Sequence, residues 1–279
     1  MKKIYSLLSI AWVILIPTVG VDSTGENFSY SMYAKVLDGF VDGSGRVDYN
    51  RLKIERQNLD AFIRILADVH PVDFGTWSDE AQIAFWVNAY NALTLKVIID
   101  NYPIKSSFLR SLSYPKNSIR QIGGVWDKIT FSVMGEKYTL DQIEHQILRQ
   151  KFSEPRIHMA LVCASKSCPN LRQEPYEESN LDFQLETQIR TFLSYRKNYS
   201  IDWDKQTIYL SSIFKWFGED FVDVYKPESG FSNANPKERA VLYFVSLHVP
   251  EEDKRYLEKG KYSIRYVKYD WSLNERNAQ

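Results

Sequence analysis

The spacing of apolar residues along the chain predicts a mainly helical protein with a few short strands. In several stretches apolar side chains recur every three or four residues, which is the repeat of one face of an α-helix. These stretches are residues 28–40, 50–69, 79–100, 139–150, 177–195, 213–221 and 236–247. Shorter runs typical of strands occur at residues 129–133, 137–140, 157–162, 207–210 and 264–271. The pattern indicates the α+β class, with a small β-sheet packed around helices.

The segment 79–100 differs from the other predicted helices because its apolar residues cover every side. A helix that is apolar all round is normally buried in a protein core. Ser78 is followed by two acidic residues, which is a typical signal for the start of a helix. We therefore expect residues 79–100 to be the central helix of a single globular domain that spans residues 25–279.

Two asparagines, Asn88 and Asn91, lie on one side of this predicted central helix. A buried asparagine must find hydrogen-bond partners, because an unsatisfied buried amide is costly. Two interpretations remain open at this point. Their amides either fix the backbone of neighbouring segments or line a binding pocket.

The amino terminus has the features of a secretory signal peptide over residues 1–22. Lys2 and Lys3 precede a mostly apolar run at residues 4–21. The run is nearly long enough to span a membrane, so an uncleaved anchor is the alternative. No later segment has the composition of a transmembrane helix. We expect an exported protein, periplasmic or extracellular, without a transmembrane span in its mature part.

The overall charge bears on the class of partner. The chain has 35 basic and 35 acidic residues. A nucleic-acid-binding domain usually carries an excess of basic residues on one face. The balance argues against a nucleic-acid partner and leaves a small molecule or a peptide as the expected ligand.

The side chains best suited to chemistry are concentrated in residues 139–171, which hold both cysteines and two of the four histidines. Thr139 and Gln142 have the spacing of a capping box, so a helix should begin there. On that helix Glu144 falls within the apolar stripe, where a carboxylate is unstable unless it is paired. The candidate partners are Arg149, Arg156 and His158.

The predicted strand at residues 157–162 leads into a loop that contains both cysteines. Cys168 precedes Pro169, and proline is favoured at the first position of a helix. Cys168 could therefore lie at a helix N-terminus, where a thiol loses its proton more readily. In an exported protein Cys163 and Cys168 could instead close a small disulfide.

Distinctive motifs lie at residues 45–49, 84–94, 143–149, 155–163, 167–169 and 269–274. Together they resemble the domain-of-unknown-function 547 family. The resemblance extends over nearly all of the predicted mature chain and implies a recurring fold and a recurring site, without an agreed activity. It also implies that the chemically capable residues of the central stretch belong together. These residues are Glu144, His145, His158, Cys163 and Cys168.

The first functional hypothesis is a cysteine-dependent hydrolase or acyltransferase with a Cys–His–Glu site. Its catalytic residues would be Cys168, His158, Glu144, His145 and Cys163. Because adjacent residues of a helix point about 100° apart, His158 is a better partner for Glu144 than His145 is. The substrate-binding residues would be Arg149, Arg156, Asn88, Asn91 and Ser167.

Two further hypotheses use the same residues differently. Two histidines and two cysteines are a possible ligand set for zinc, namely His145, His158, Cys163 and Cys168. Zinc is the only cofactor that the sequence suggests, and the other two hypotheses need none. The last hypothesis is a non-catalytic binding module in which Cys163 and Cys168 form a disulfide.

Overall fold

The structure, a computed structural model, describes residues 28–231 and 234–276. The predicted signal peptide at residues 1–22 lies outside the described residues. The α-helices are α1 (Ser31–Phe40), α2 (Tyr49–Ile54), α3 (Gln57–Asp68), α4 (Pro71–Phe74), α5 (Asp79–Asn101), α6 (Phe108–Ser111), α7 (Arg149–Lys151), α8 (Leu181–Ser194), α9 (Ser212–Phe217), α10 (Pro236–Ser246) and α11 (Glu251–Lys259). The strands are β1 (Phe131–Val133), β2 (Glu136–Tyr138), β3 (Tyr199–Asp202), β4 (Thr207–Leu210) and β5 (Ser263–Tyr266). This confirms a mainly helical α+β fold.

Helix α5 is the buried central helix that the sequence predicts. It begins at Asp79, where the Ser78 side chain accepts a hydrogen bond from the Ala81 amide. Its buried residues lie on all sides, and α2, α3 and the helix at Gln142–Leu148 pack against it. Because its neighbours hold α5 in place, the side chains that α5 contributes to a site have fixed positions.

Within the described part of the chain, the strands form two small sheets. Strands β1 and β2 make an antiparallel hairpin, and Met134 and Gly135 both have positive φ at its turn. A two-residue turn of this kind requires positive φ at both positions, and glycine adopts that conformation without steric cost. In the second sheet β4 lies between β3, which is antiparallel to it, and β5, which is parallel to it.

Among the described residues, buried apolar side chains form two clusters. The N-terminal cluster is built mainly from α1, α3, α5 and the helix at Gln142–Leu148. The C-terminal cluster is built mainly from α8, α9, α10 and β4. Helix α8 takes part in both, with Leu185 in the first cluster and Ile189 in the second. The candidate site lies where these two clusters meet.

The prediction of a strand at residues 157–162 is wrong. Residues Pro155–Met159 form a 3₁₀ helix, in which Pro155 occupies the first turn and the Glu154 side chain accepts from the Arg156 amide. The segment is apolar because it is buried between the two clusters. A short buried run has the same composition in either conformation, so its pattern cannot distinguish them.

The prediction of a helix after Cys168 is also wrong, because Pro169 continues into a loop. The predicted helix at residues 50–69 is divided in two, since the chain turns at Glu55 between α2 and α3. Within residues 28–231 and 234–276, no helix combines the length and the hydropathy that crossing a membrane requires.

Candidate functional site

A cavity of about 400 Å³ opens at the junction of the two apolar clusters. This volume is within the range of about 300–1,000 Å³ that is typical of small-molecule sites. Its aromatic lining consists of Tyr90, Tyr114, Trp126, Trp216, Phe217, Tyr269 and Trp271. Its polar and sulfur-containing lining includes Arg120, Glu144, His145, His158, Cys163 and Cys168. All five residues predicted as catalytic therefore border one cavity.

One wall of the cavity is a cluster of aromatic rings. The Tyr269 ring centroid lies 4.6 Å from that of Trp271 and 4.8 Å from that of Trp216. The Arg120 guanidinium lies over Trp271, 4.9 Å from the ring centroid, and over Tyr114 at 4.6 Å. It also donates a hydrogen bond to the Tyr114 hydroxyl at 2.6 Å. These rings give the cavity flat apolar surfaces against which a ligand can stack.

Glu144 is positioned by a helix of unusual geometry. The predicted capping box is present: the Gln142 amide donates to Thr139 Oγ1 at 3.1 Å, and the Thr139 amide donates to Gln142 Oε1 at 2.9 Å. Residues Gln142–Leu148 are then wound as a π-helix, and the Arg149 amide donates to the carbonyl of Glu144, five residues earlier. Such wide turns are rare and occur frequently at functional sites.

The Glu144 carboxylate faces the cavity and has few polar partners. It accepts a hydrogen bond from the Tyr90 hydroxyl at 3.0 Å, and it forms no ion pair with any residue that the structure describes. Burial, together with the charge of Glu144, holds the pKa of Tyr90 well above its usual value, so this hydroxyl remains a proton donor. A carboxylate can accept about four hydrogen bonds, and most of that capacity remains available to a ligand.

The prediction that His158 pairs with Glu144 is wrong. The His158 ring is buried and its Nε2 lies 2.8 Å from Asp220 Oδ2. Arg149 binds the same carboxylate through two hydrogen bonds of 2.6 and 2.8 Å. Burial acts to raise the pKa of Asp220, but the bonds from Arg149 and His158 outweigh it and hold that pKa well below its usual range. Two of the three partners predicted for Glu144, Arg149 and His158, therefore bind Asp220 instead.

His145 lies at the edge of the cavity. Its Nδ1 is 2.8 Å from Arg149 Nη1, and its Nε2 is 3.3 Å from Asp141 Oδ1. The Phe217 ring stacks on His158, with centroids 4.2 Å apart and planes at 17°. Both imidazoles are therefore held in place by charged neighbours, and the ring of His158 is also covered by Phe217.

Cys163 and Cys168 form a disulfide, with their Cα atoms 6.2 Å apart. The Tyr269 hydroxyl donates to Cys168 Sγ at 3.2 Å and lies 3.3 Å from Cys163 Sγ. Neither sulfur is a thiol in this state, so the structure gives no support to the cysteine-nucleophile hypothesis. Among the described residues no group of three histidines, cysteines or acidic residues is arranged to hold a metal ion.

Residues 74–193 match the model of a family described as "Protein of unknown function, DUF547". Over this part of its length, the chain is similar to that family. The match contains the central helix α5, the π-helix and the disulfide, whereas Asp220 and the aromatic residues from Trp216 onward lie beyond it. The family description assigns no activity. No curated protein and no solved structure matches the chain.

The two predicted asparagines bind the backbone of neighbouring segments. Asn88 exchanges two hydrogen bonds with the backbone of Tyr176, at 2.7 and 3.0 Å. Asn91 donates to the carbonyl of Ala160 at 3.0 Å and accepts from the amide of Val162 at 2.9 Å. Both are buried and neither lines the cavity. Their amides anchor the loops on either side of the disulfide to α5.

The other residues predicted to bind substrate also lie away from the cavity lining. Arg149 is engaged by Asp220, as described above. Arg156 is bound by acidic side chains, with distances of 2.6 Å to Glu154 and 2.7 Å to Asp182. Ser167 accepts a hydrogen bond from the Asp270 amide and borders a second cavity of about 370 Å³, on the other side of the disulfide.

Sequence reasoning did not identify Asp220, Arg120 or the aromatic residues of the cavity lining as site residues. For Asp220 a signal exists in the sequence. Ile213, Phe217 and Asp220 have the i, i+4, i+7 spacing of one helix face. Asp220 therefore stands at a position where an apolar residue is expected, just as Glu144 does. An acidic residue on an otherwise apolar helix face is the signal that marks both Glu144 and Asp220 in the sequence.

Proposed function

We propose that this protein is a small-molecule-binding module, and that its aromatic cavity binds a ligand with a cationic group next to Glu144. The observation that carries the proposal is the Glu144 carboxylate, which lines an aromatic cavity without an ion-pair partner among the described residues. A partly buried carboxylate is stabilised by an opposite charge. Aromatic faces also attract cations, by about 0.5–2 kcal/mol for each good contact.

Arg120 is the other charged group that could select a ligand, and it is better compensated than Glu144. Its guanidinium already lies over three aromatic rings, those of Tyr114, Trp126 and Trp271. Among the residues that the structure describes, Glu144 has one hydrogen-bond partner, the Tyr90 hydroxyl. A ligand of opposite charge therefore gains more binding free energy at the Glu144 carboxylate than at Arg120. This favours an amine or ammonium ligand over an acid.

We also propose that this module acts outside the cytoplasm. Two observations support this: the signal-like pattern at residues 1–22, and a disulfide beside the ligand cavity. Disulfides persist mainly in oxidising compartments.

The proposal is tested with ligands that share a phenyl ring and differ in charge. Trp216 and Trp271 line the cavity, so their fluorescence should report binding. We expect 2-phenylethylamine to bind about tenfold more tightly than neutral 2-phenylethanol, a difference of about 1.4 kcal/mol. The anion 3-phenylpropionate should bind most weakly. Equal binding of the three, or preference for the anion, would contradict a cation site at Glu144.

A further inference from the structure

The loop that carries α6 exposes an apolar patch that its own fold does not cover. Phe108 is 82% exposed, Leu109 74% and Leu112 75%. We name these three side chains the apolar tip. Large apolar side chains exposed singly are common, whereas a contiguous group of them usually marks a surface that contacts something else.

The charge around the apolar tip is strongly one-sided. Between Asp100 and Asp127 the sequence contains no acidic residue, although the whole chain is balanced. The same interval contains four basic residues, namely Lys105, Arg110, Lys116 and Arg120. The first three are exposed, and none of these three forms an ion pair with a described residue. An apolar tip within a cationic rim is complementary to a surface that is negatively charged outside and apolar inside.

The loop is held in a defined shape, so the exposure of its tip is built into the fold. Gln121 is buried and accepts a hydrogen bond from the Ser107 amide at 3.0 Å. Its side-chain amide also donates to the carbonyl of Pro115 at 3.0 Å, and its own carbonyl accepts from Arg110 at 2.7 Å. One side chain thus fixes both ends of the loop and leaves the tip pointing away from the core.

We propose that this loop docks on an anionic lipid surface, with the apolar tip inserted among the lipids and the lysines at the headgroups. Apolar residues of this kind enter the boundary between headgroups and acyl chains, about 5–10 Å deep, and basic residues add attraction to anionic lipids. The base of the loop supplies Tyr114, Arg120 and Trp126 to the wall of the ligand cavity. The cavity would then open close to the membrane surface. This proposal is independent of what the cavity binds.

The test needs a readout at the loop itself, because the apolar run at residues 4–21 can bind vesicles on its own. A nitroxide attached to Leu109→Cys reports whether its position is in water or in lipid. Phe183→Cys is the matched control, since Phe183 is also an exposed apolar residue, at 68%, on α8. The two native cysteines are bonded to each other and leave the new thiol as the labelling site.

We expect the label at position 109 to move into lipid on vesicles that contain phosphatidylglycerol and to remain in water on phosphatidylcholine alone. The label at position 183 should stay in water on both. Replacing Lys105 and Lys116 by glutamine should reduce the inserted fraction of the position-109 label on the order of tenfold. A label at position 109 that stays in water on anionic vesicles overturns the proposal and points to a protein partner. Equal insertion on both kinds of vesicle overturns its electrostatic part.

Discussion

Glu144 and Asp220 are acidic residues on otherwise apolar helix faces, and the structure uses them in different ways. Asp220 is bound by Arg149 and His158, which come from a distant part of the chain. Glu144 lies beside the cavity, and among the described residues its hydrogen-bond partner is the Tyr90 hydroxyl. The first carboxylate therefore joins two parts of the molecule, and the second is available to a ligand.

Replacing Asp220 by asparagine should destabilise the fold. The substitution removes an ion pair with two hydrogen bonds to Arg149 and leaves that partly buried charge uncompensated. We expect the free energy of unfolding to fall by about 2 kcal/mol, measured by urea denaturation at neutral pH. Glu219→Gln, at the exposed neighbouring position, is the matched control and should change stability little. A neutral effect of Asp220→Asn would show that the pair does not stabilise the fold.

The same residue makes stability depend on pH in a defined direction. The pKa of Asp220 is lower in the folded protein than in the unfolded chain, where it is about 3.9. Its contribution is therefore complete above that unfolded value and is lost as the pH falls towards the folded value. The free energy of unfolding is measured for wild type and Asp220→Asn at pH 5 and then at successively lower pH, about one pH unit apart. Wild type should lose more stability than Asp220→Asn over this range. Parallel stability curves for the two proteins would contradict this assignment.

At the scale of single residues, the sequence could identify the unusual positions and could not identify their partners. The anomaly at Glu144 is visible because it lies among apolar residues three and four positions away. Its expected partners, Arg149 and His158, bind Asp220 instead, which lies 62 residues beyond His158 in the chain. The local spacing of apolar residues does not indicate which side chain from a distant part of the sequence contacts a given residue.

Among the elements, those defined by local signals were predicted best. The helix start at Thr139 depends on two hydrogen bonds within four residues, and both are present. The change to a π-helix after Gln142 has no such local signal, because the same apolar spacing suits an α-helix. The segment at residues 157–162 was predicted as a strand, since burial alone set its composition.

The contribution of the disulfide to the free energy of unfolding can be measured directly. It closes a short loop, with a sequence separation of 5. Chain-entropy reasoning gives a stabilisation of about 2 kcal/mol for a loop of this size. We expect the double variant Cys163→Ser/Cys168→Ser to unfold at lower urea concentration than wild type, with the difference disappearing when wild type is measured in reductant. A difference that persists in reductant would show that serine disturbs the packing by itself.

At the scale of the whole molecule, two apolar clusters meet along the segment from Pro155 to Cys168, and the cavity lies at this junction. Pockets commonly form where two packed units meet, because neither unit fills the space between them. The central helix α5 could be predicted as the organising element of the N-terminal cluster. The second cluster and its contact with the first could not, since that contact depends on side chains far apart in the sequence.

The central claim is that Glu144 recognises a positive charge in this cavity, and one thermodynamic cycle tests it most directly. Dissociation constants for 2-phenylethylamine and 2-phenylethanol are measured with wild type and with Glu144→Gln, with Glu219→Gln as the control variant. We predict that Glu144→Gln weakens binding of the amine at least about tenfold and leaves the alcohol within about twofold, a coupling of about 1 kcal/mol or more. An equal effect on both ligands, or none on either, would contradict the claim.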